Sequence, residues 1–203
     1  MKTGSINIPQ ADGGWIRRPA MVRSLRSPVR QEIVDALEAA GPATMAELAR
    51  GLGRRPDALY FHVRQLLTVA LIKELAPRRE GRHVASVYDV AWRPMRLSYE
   101  SGVSGKSLSA VVGAAMRLAV RDFAAAARVK QPGAAAAGRP PQLWGARRVG
   151  WLDPDEINRV NRLLEAASDI LRKARPRPGS RSMSLSFVLS PSHRDQTKKG
   201  EST

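Results

Sequence analysis

The sequence predicts a mainly α chain with small β-sheets (α+β), in which a helix-turn-helix and a hairpin are followed by a helical and strand-helix-strand region. Three observations carry this. Thr44 and Glu47 stand at the spacing of a capping box ahead of a short helical pattern, where each side chain satisfies an orphan N–H of the helix start. Gly51 and Gly53 then free the backbone for a sharp turn around Leu52, and Pro56 and Asp57 suit the first turn of a second helix. After residue 70 the apolar period changes from helical to alternating, which marks two strands around a polar turn containing Gly81.

Taken in order, residues 1–19 carry Gly, Pro, Asn and Asp without a sustained period and read as a loose arm whose end Trp15 can pin. Its Arg17 and Arg18 are either solvated or reach a neighbouring minor groove. Ser27 and Pro28 start the first firm helix, with Val29, Ile33, Leu37 and Ala40 along one face, and Gly41 and Pro42 stop it. This helix buttresses the helix-turn-helix, because two short helices alone bury too little apolar area.

In the second helix of the pair, Leu59, Val63, Leu66 and Ala70 recur at core spacing. That leaves Asp57, Tyr60, Phe61, Arg64 and Gln65 pointing outward. An outward Tyr and Phe beside an Arg are unusual on a solvated face and suit a helix that docks into a groove. Residues 71–75 and 84–90 form the two strands, the second with Val84, Tyr88 and Val90 alternating with polar residues. The turn PRREGRH between them concentrates Arg78, Arg79, Arg82 and His83, which are placed for phosphate contact or, on the plainer reading, for solvent.

The second half has a different texture. Residues 106–129 place Leu108, Val111, Ala115, Leu118, Ala119, Phe123 and Ala126 on one face of a long helix. Residues 131–141 combine Pro, Gly and Ala without a period and read as a linker. Asp153, Pro154 and Glu156 start another helix, which carries Ile157, Val160, Leu164, Ala167 and Leu171 and ends before Pro176. The run RRVGWL (147–152) before it reads as one strand, and Met183, Leu185, Phe187 and Leu189, alternating with serines, read as another. These elements expose more apolar stripe than a small subdomain can hide, so Leu108, Val111, Leu118, Phe123, Ile157, Val160, Leu164 and Leu171 are expected at a dimer interface. The domain plan is thus an arm at 1–19, a DNA-binding unit at 20–100, a dimerisation region at 101–189 and a polar tail at 190–203. A piece ending near Ser101 is expected to fold by itself.

At these residues the chain resembles winged-helix regulators of the arsenic-repressor (ArsR-like) type. Residues 23–34, RSLRSPVRQEIV, look like that family's opening helix with its Pro-x-Arg signature. Tyr60-x-His62-Val63-x-x-Leu66 looks like its Ser-x-His-Leu-x-x-Leu recognition helix, and residues 71–75 and 84–90 look like its two-stranded wing. The match spans roughly residues 20–92. Tyr60 stands where the family has Ser, Ala70 where Gly precedes the wing strand, and Arg55 where the cap is Ser or Asn. These departures bear on base preference, not on fold. The strand-helix-strand layout also recurs after the winged helix in some relatives of the family.

The composition fits that reading. Thirty-four Lys and Arg against eighteen Asp and Glu give a formal charge of +16, with sixteen basic against ten acidic side chains in residues 1–100 and eighteen against eight thereafter. An excess in both halves favours a polyanionic partner, since each neutralised phosphate releases counterions. The chain has no cysteine, which removes disulfides and thiolate metal sites. His62, His83 and His193 lie far apart without ligand spacing, so neither a metal nor another cofactor is expected. GVSGKS (102–107) lacks the gap of a phosphate loop and reads as a loop and helix cap. Asp153, Asp155 and Glu156 sit where a helix start favours negative charge, and no nucleophile is paired with a base, which argues against an enzyme. The start lacks an apolar leader core and no stretch has membrane-spanning length, so a soluble cytoplasmic protein is expected.

These features point to a homodimeric, sequence-specific DNA-binding transcription regulator that represses by occluding a two-fold-symmetric operator on double-stranded DNA. The base contacts fall to Asp57, Ala58, Tyr60, Phe61 and Arg64. The backbone contacts fall to Arg54, Arg55, His62, Arg78, Arg79 and Arg82. The alternative is a winged helix serving as a protein-interaction or RNA-binding module in a larger assembly.

Overall fold

A computed structural model describes residues 14–99, 103–128 and 143–192. Its elements in chain order are β1 (Trp15–Ile16), α1 (Pro19–Ser24), α2 (Pro28–Ala40), β2 (Ala43–Thr44), α3 (Met45–Gly51), α4 (Asp57–Thr68), β3 (Ile72–Glu80), β4 (His83–Val90), β5 (Arg96–Leu97), α5 (Gly105–Arg128) and α6 (Pro154–Lys173). The first thirteen residues of the expected arm, the linker 131–141 and the tail from 193 lie outside the described residues.

The helix-turn-helix forms as its local signals dictate. The Glu47 N–H donates to the Thr44 hydroxyl (3.3 Å) and the Thr44 N–H to the Glu47 carboxylate (2.8 Å), completing the capping box. At the far end of α3 the Gly53 N–H reaches the Arg50 carbonyl and the Arg54 N–H the Ala49 carbonyl, with Gly53 at φ 60°. This is a Schellman stop, and its left-handed residue is the reason for glycine there. Pro56 precedes α4 instead of opening it. The helix ends in a second Schellman stop, from Ala70 N–H to Leu67 and from Leu71 N–H to Leu66. Ala70 is therefore not a helical core position as its spacing predicts. It is the left-handed residue, at φ 56°, where the resembled family carries glycine.

The core joins helices α1 to α4 and the start of α5 to the sheet. Ile33 and Leu37 of α2, Leu59 and Leu66 of α4, and Leu71, Ile72 and Val90 of the hairpin are fully buried, with Val22 of α1 beside them. Ala40, at the end of the predicted α2 face, is exposed. The sheet runs β2-β4-β3, all antiparallel, while β1 pairs in parallel with β5. The arm's end is thus a strand: Trp15 faces Arg96 across the pair, with that guanidinium 5.6 Å from its ring.

The hairpin is longer than the sequence suggests. Residues 77–80, expected in a turn, continue β3 beyond a bulge between Leu75 and Arg78 that accommodates Pro77, which has no N–H to give to a ladder. The turn proper is Gly81-Arg82, with Gly81 at φ 61° in the position a type II′ hairpin reserves for glycine. Asp89 breaks the expected alternation. It is buried because Arg93 donates to both of its oxygens (2.5 and 2.9 Å).

The C-terminal half departs most from expectation. Helix α5 is capped by Ser104, whose hydroxyl accepts from the Ser107 N–H (3.3 Å). Its first turns belong to the winged helix: Val111 and Ala114 are buried there, Leu108 packs on the same core, and Gln31 donates to the carbonyls of Leu25 (2.6 Å) and Val111 (3.0 Å). Leu108 and Val111 are accordingly core contacts within one chain, not dimer contacts. A piece ending near Ser101 would remove Val111 and Ala114 from that core. Helix α6 forms with a complete capping box between Asp153 and Glu156, yet none of its residues is buried. The strands expected at 147–152 and 182–189 are absent: both segments are exposed and lack ladder partners, and a strand has no backbone bonds to make without one. No helix among the described residues is long and apolar enough to cross a membrane.

Candidate nucleic-acid interface

Helix α4 presents its polar and aromatic face to solvent because Leu59, Val63 and Leu66 fix the opposite face in the core. Asp57, Ala58, Tyr60, Phe61 and Arg64 all lie on the open side, with Tyr60 57% and Phe61 62% exposed. Two bulky aromatics this exposed beside a guanidinium are costly in water unless a partner covers them. Arg64 has no ion pair among the described residues. Asp57 pairs with Arg55 (3.1 Å), so the helix start carries its own charge compensation at the surface.

The wing stands beside this face. Arg79 and Arg82 are exposed and unpaired among the described residues, whereas Arg78 is held by Glu47 (2.5 Å) and Glu80 (3.2 Å). The Arg78–Glu47 pair ties the hairpin to the start of α3. Glu47 titrates below its usual range, first because the Thr44 N–H bonds its carboxylate and then because of Arg78. Between α3, α4 and β4 runs a groove of about 460 Å³, walled by Met45, Pro56, Tyr60, Val84 and Tyr88 among others. It separates the aromatic helix face from the wing strand.

Besides Arg78, two further residues assigned to DNA backbone contact are engaged differently. Arg54 donates to the buried Glu32 carboxylate (2.7 Å), whose other oxygen accepts from Arg121 of α5 (2.5 Å). A single carboxylate therefore joins the turn before α4 to the C-terminal half. His62 is partly covered, with Nδ1 buried and without a hydrogen-bond partner among the described residues, and its ring edge-on to Phe61 at 5.5 Å. Its basicity is lowered by burial, then by the charges of Arg30 and Arg54, which favours the neutral ring. Arg18 of the arm donates to the Val69 carbonyl (3.0 Å) and pins the chain to the end of α4.

The structure thus brings the five assigned base-reading residues onto one face and sets Arg55, Arg79 and Arg82 around it. Glu32 escaped the sequence reading, and Glu47 was read only as the capping partner of Thr44. Their ion pairs carried no local signal, because the arginines that engage them lie 22 or more residues away. Among the described residues no cluster of His, Cys, Asp or Glu could hold a metal.

Residues 25–74 match a family model described as a helix-turn-helix domain. No curated protein matches the chain. Among solved structures, a double mutant of Lactococcus lactis ZitR in apo form aligns over 70% of this chain and 80% of that one, at 15% identity and a TM-score of 0.25. That similarity is too loose to argue from. The family match and the geometry of α3, its turn and α4 agree, and this chain carries a helix-turn-helix domain.

Proposed function

We propose that the chain is a sequence-specific DNA-binding transcription regulator, acting in the cytoplasm as a homodimer that represses by occluding its operator. The observation that carries this is the solvent-facing row of Tyr60, Phe61 and Arg64 on the second helix of a helix-turn-helix, flanked by the exposed wing arginines Arg79 and Arg82. Arg64 is suited to a base edge in the major groove, Tyr60 and Phe61 to apolar contact with thymine methyls and sugars, and Arg55, Arg79 and Arg82 to phosphates. Arg54 and Arg78 act on the interface through Glu32 and Glu47 by holding the turn and the wing in place.

The homodimer rests on the other half. Helix α6 and the segments flanking it leave Trp144, Trp151, Leu163, Ile170 and Phe187 exposed, large apolar side chains whose cover by a partner would be favourable. Leu118, Phe123, Ile157, Val160, Leu164 and Leu171 are the contacts assigned to the second copy. Two winged helices related by a two-fold axis add their binding energies when half-sites lie about 10 base pairs or a multiple apart.

The test is selection of bound fragments from genomic DNA, followed by affinity for the selected duplex and a scrambled one over a salt series. Preference for the selected site should persist at physiological ionic strength while both affinities fall with salt. Equal affinities throughout would reduce the protein to a nonspecific polyanion binder.

A further inference from the structure

A second basic cluster lies away from the DNA-facing residues. A cleft of about 350 Å³ opens between the end of α2, the β4–β5 connection and the last turn of α6. We propose that it binds a small polyanion, a compound bearing two or more phosphate or carboxylate groups, and that the ligand clamps α6 to the winged helix.

Five cations and two carboxylates line the cleft, and their pairing leaves an excess. Arg93 is neutralised by Asp89 (2.5 Å), and Arg172 by Asp169. Arg175 donates to the carbonyls of Arg172 and Ala174 (both 2.7 Å), which are neutral acceptors, so its charge remains. Arg96 rests on the Trp15 ring, and Lys173 has no ion pair among the described residues. Against these three stands Glu38, whose carboxylate accepts from the Met95 N–H (2.9 Å). Like charges gathered this closely repel one another, and a bound dianion would relieve that repulsion.

The helix dipole does not account for the arrangement. It favours cations at the end of α6, but Arg96 arrives from the β5 strand, more than 70 residues earlier in the chain. Guanidinium groups match phosphate and carboxylate oxygens in pairs, and the volume lies at the lower end of small-molecule sites. Duplex DNA is a poor fit. The cleft adjoins the base of the hairpin, where Ile72 pairs with Val90, whereas the wing tip lies beyond the Glu80–His83 pair, roughly 25 Å along the strands. Because no residue of α6 is buried, a ligand bridging the two parts would govern how α6 is held.

The experiment is thermal unfolding of the full chain titrated with pyrophosphate and, separately, with citrate, each at constant ionic strength balanced by potassium chloride. One or both should raise Tm in a saturable way, and the better of the two names the ligand chemistry. The rise should fall by at least half in Lys173→Gln/Arg175→Gln and be unchanged in Arg159→Gln, on α6 but outside the cleft, and in Arg79→Ala at the wing. No rise beyond the chloride control, an equal rise in the double variant, or a rise abolished by Arg79→Ala would overturn the proposal.

Discussion

In α4, Leu59, Val63 and Leu66 recur at helical spacing and all three are enclosed, whereas in α6 Ile157, Val160, Leu164 and Leu171 recur at similar spacing and none is buried. The contrast extends to strands. Val87 and Val90 of β4 lie inside a three-stranded sheet, while Met183, Leu185, Phe187 and Leu189 alternate as cleanly and stand exposed with no ladder. A periodic apolar face shows that cover is favourable without saying what supplies it. In the winged helix the cover comes from the same chain, from α2 and from α5. For α6 we assign it to a second copy.

The largest effect that tests this contrast comes from paired truncations. Leu66→Ala should cost about 2–5 kcal/mol of stability by opening a cavity in a filled core. Ile170→Ala, 70% exposed on α6, should change monomer stability by no more than about 0.5 kcal/mol yet weaken self-association. Chemical denaturation at several protein concentrations checks both. Equal losses of stability would mean that α6 belongs to the same core as α4.

The next effect concerns which half touches DNA. Arg64→Ala should cost about 1–3 kcal/mol and relax preference at one position of each half-site, while Arg79→Ala should weaken all sequences alike and reduce the salt slope by about one unit. Arg162→Ala on α6 should leave the affinity for one half-site unchanged. A loss there as large as that of Arg64→Ala, measured by titration on a single half-site, would move DNA contact into the C-terminal half.

A smaller effect sharpens the winged-helix side. Ala70 holds φ 56°, a conformation that favours glycine by about 1 kcal/mol, part of which glycine gives back through its freer unfolded chain. Ala70→Gly should therefore raise stability by about 0.5 kcal/mol or more in thermal unfolding. A decrease would show that the methyl group packs to more advantage than the strained backbone costs.

The smallest effect is on pH. The His62 pKa is lowered by burial and by Arg30 and Arg54, so the unfolded chain binds its proton more readily than the fold does. That contribution is fully present above the unfolded imidazole value of about 6.5 and is lost as pH falls through it toward the folded value. His62→Gln should remove this step from the Tm profile as pH falls below about 6.5. An unchanged profile would assign the acid sensitivity to the carboxylates.

Legibility in the sequence followed the range of the interactions. The capping box at Thr44, the glycine stop after α3 and the outward row Tyr60, Phe61 and Arg64 were readable because each depends on neighbours within one or two helical turns. The β1–β5 pair was not, because Trp15 and Arg96 carry no local sign of each other. The wing's true length was hidden by Pro77, which reads as a turn residue unless a bulge is foreseen. Arg54 and Arg78 looked like phosphate contacts since their charge is local, while Glu32 and Glu47, which engage them, are brought near only by the fold. The two C-terminal strands were expected from alternation alone, and alternation supplies no partner.

The most direct test of a dimeric reader is the mass of the full-length protein in solution, by light scattering at micromolar concentration, free and bound to a duplex carrying two selected half-sites. The account predicts twice the 22.2 kDa of one chain when free, and two chains per duplex when bound. A single chain in both states would contradict it and leave the apolar faces of α6 and its flanking segments to a different partner.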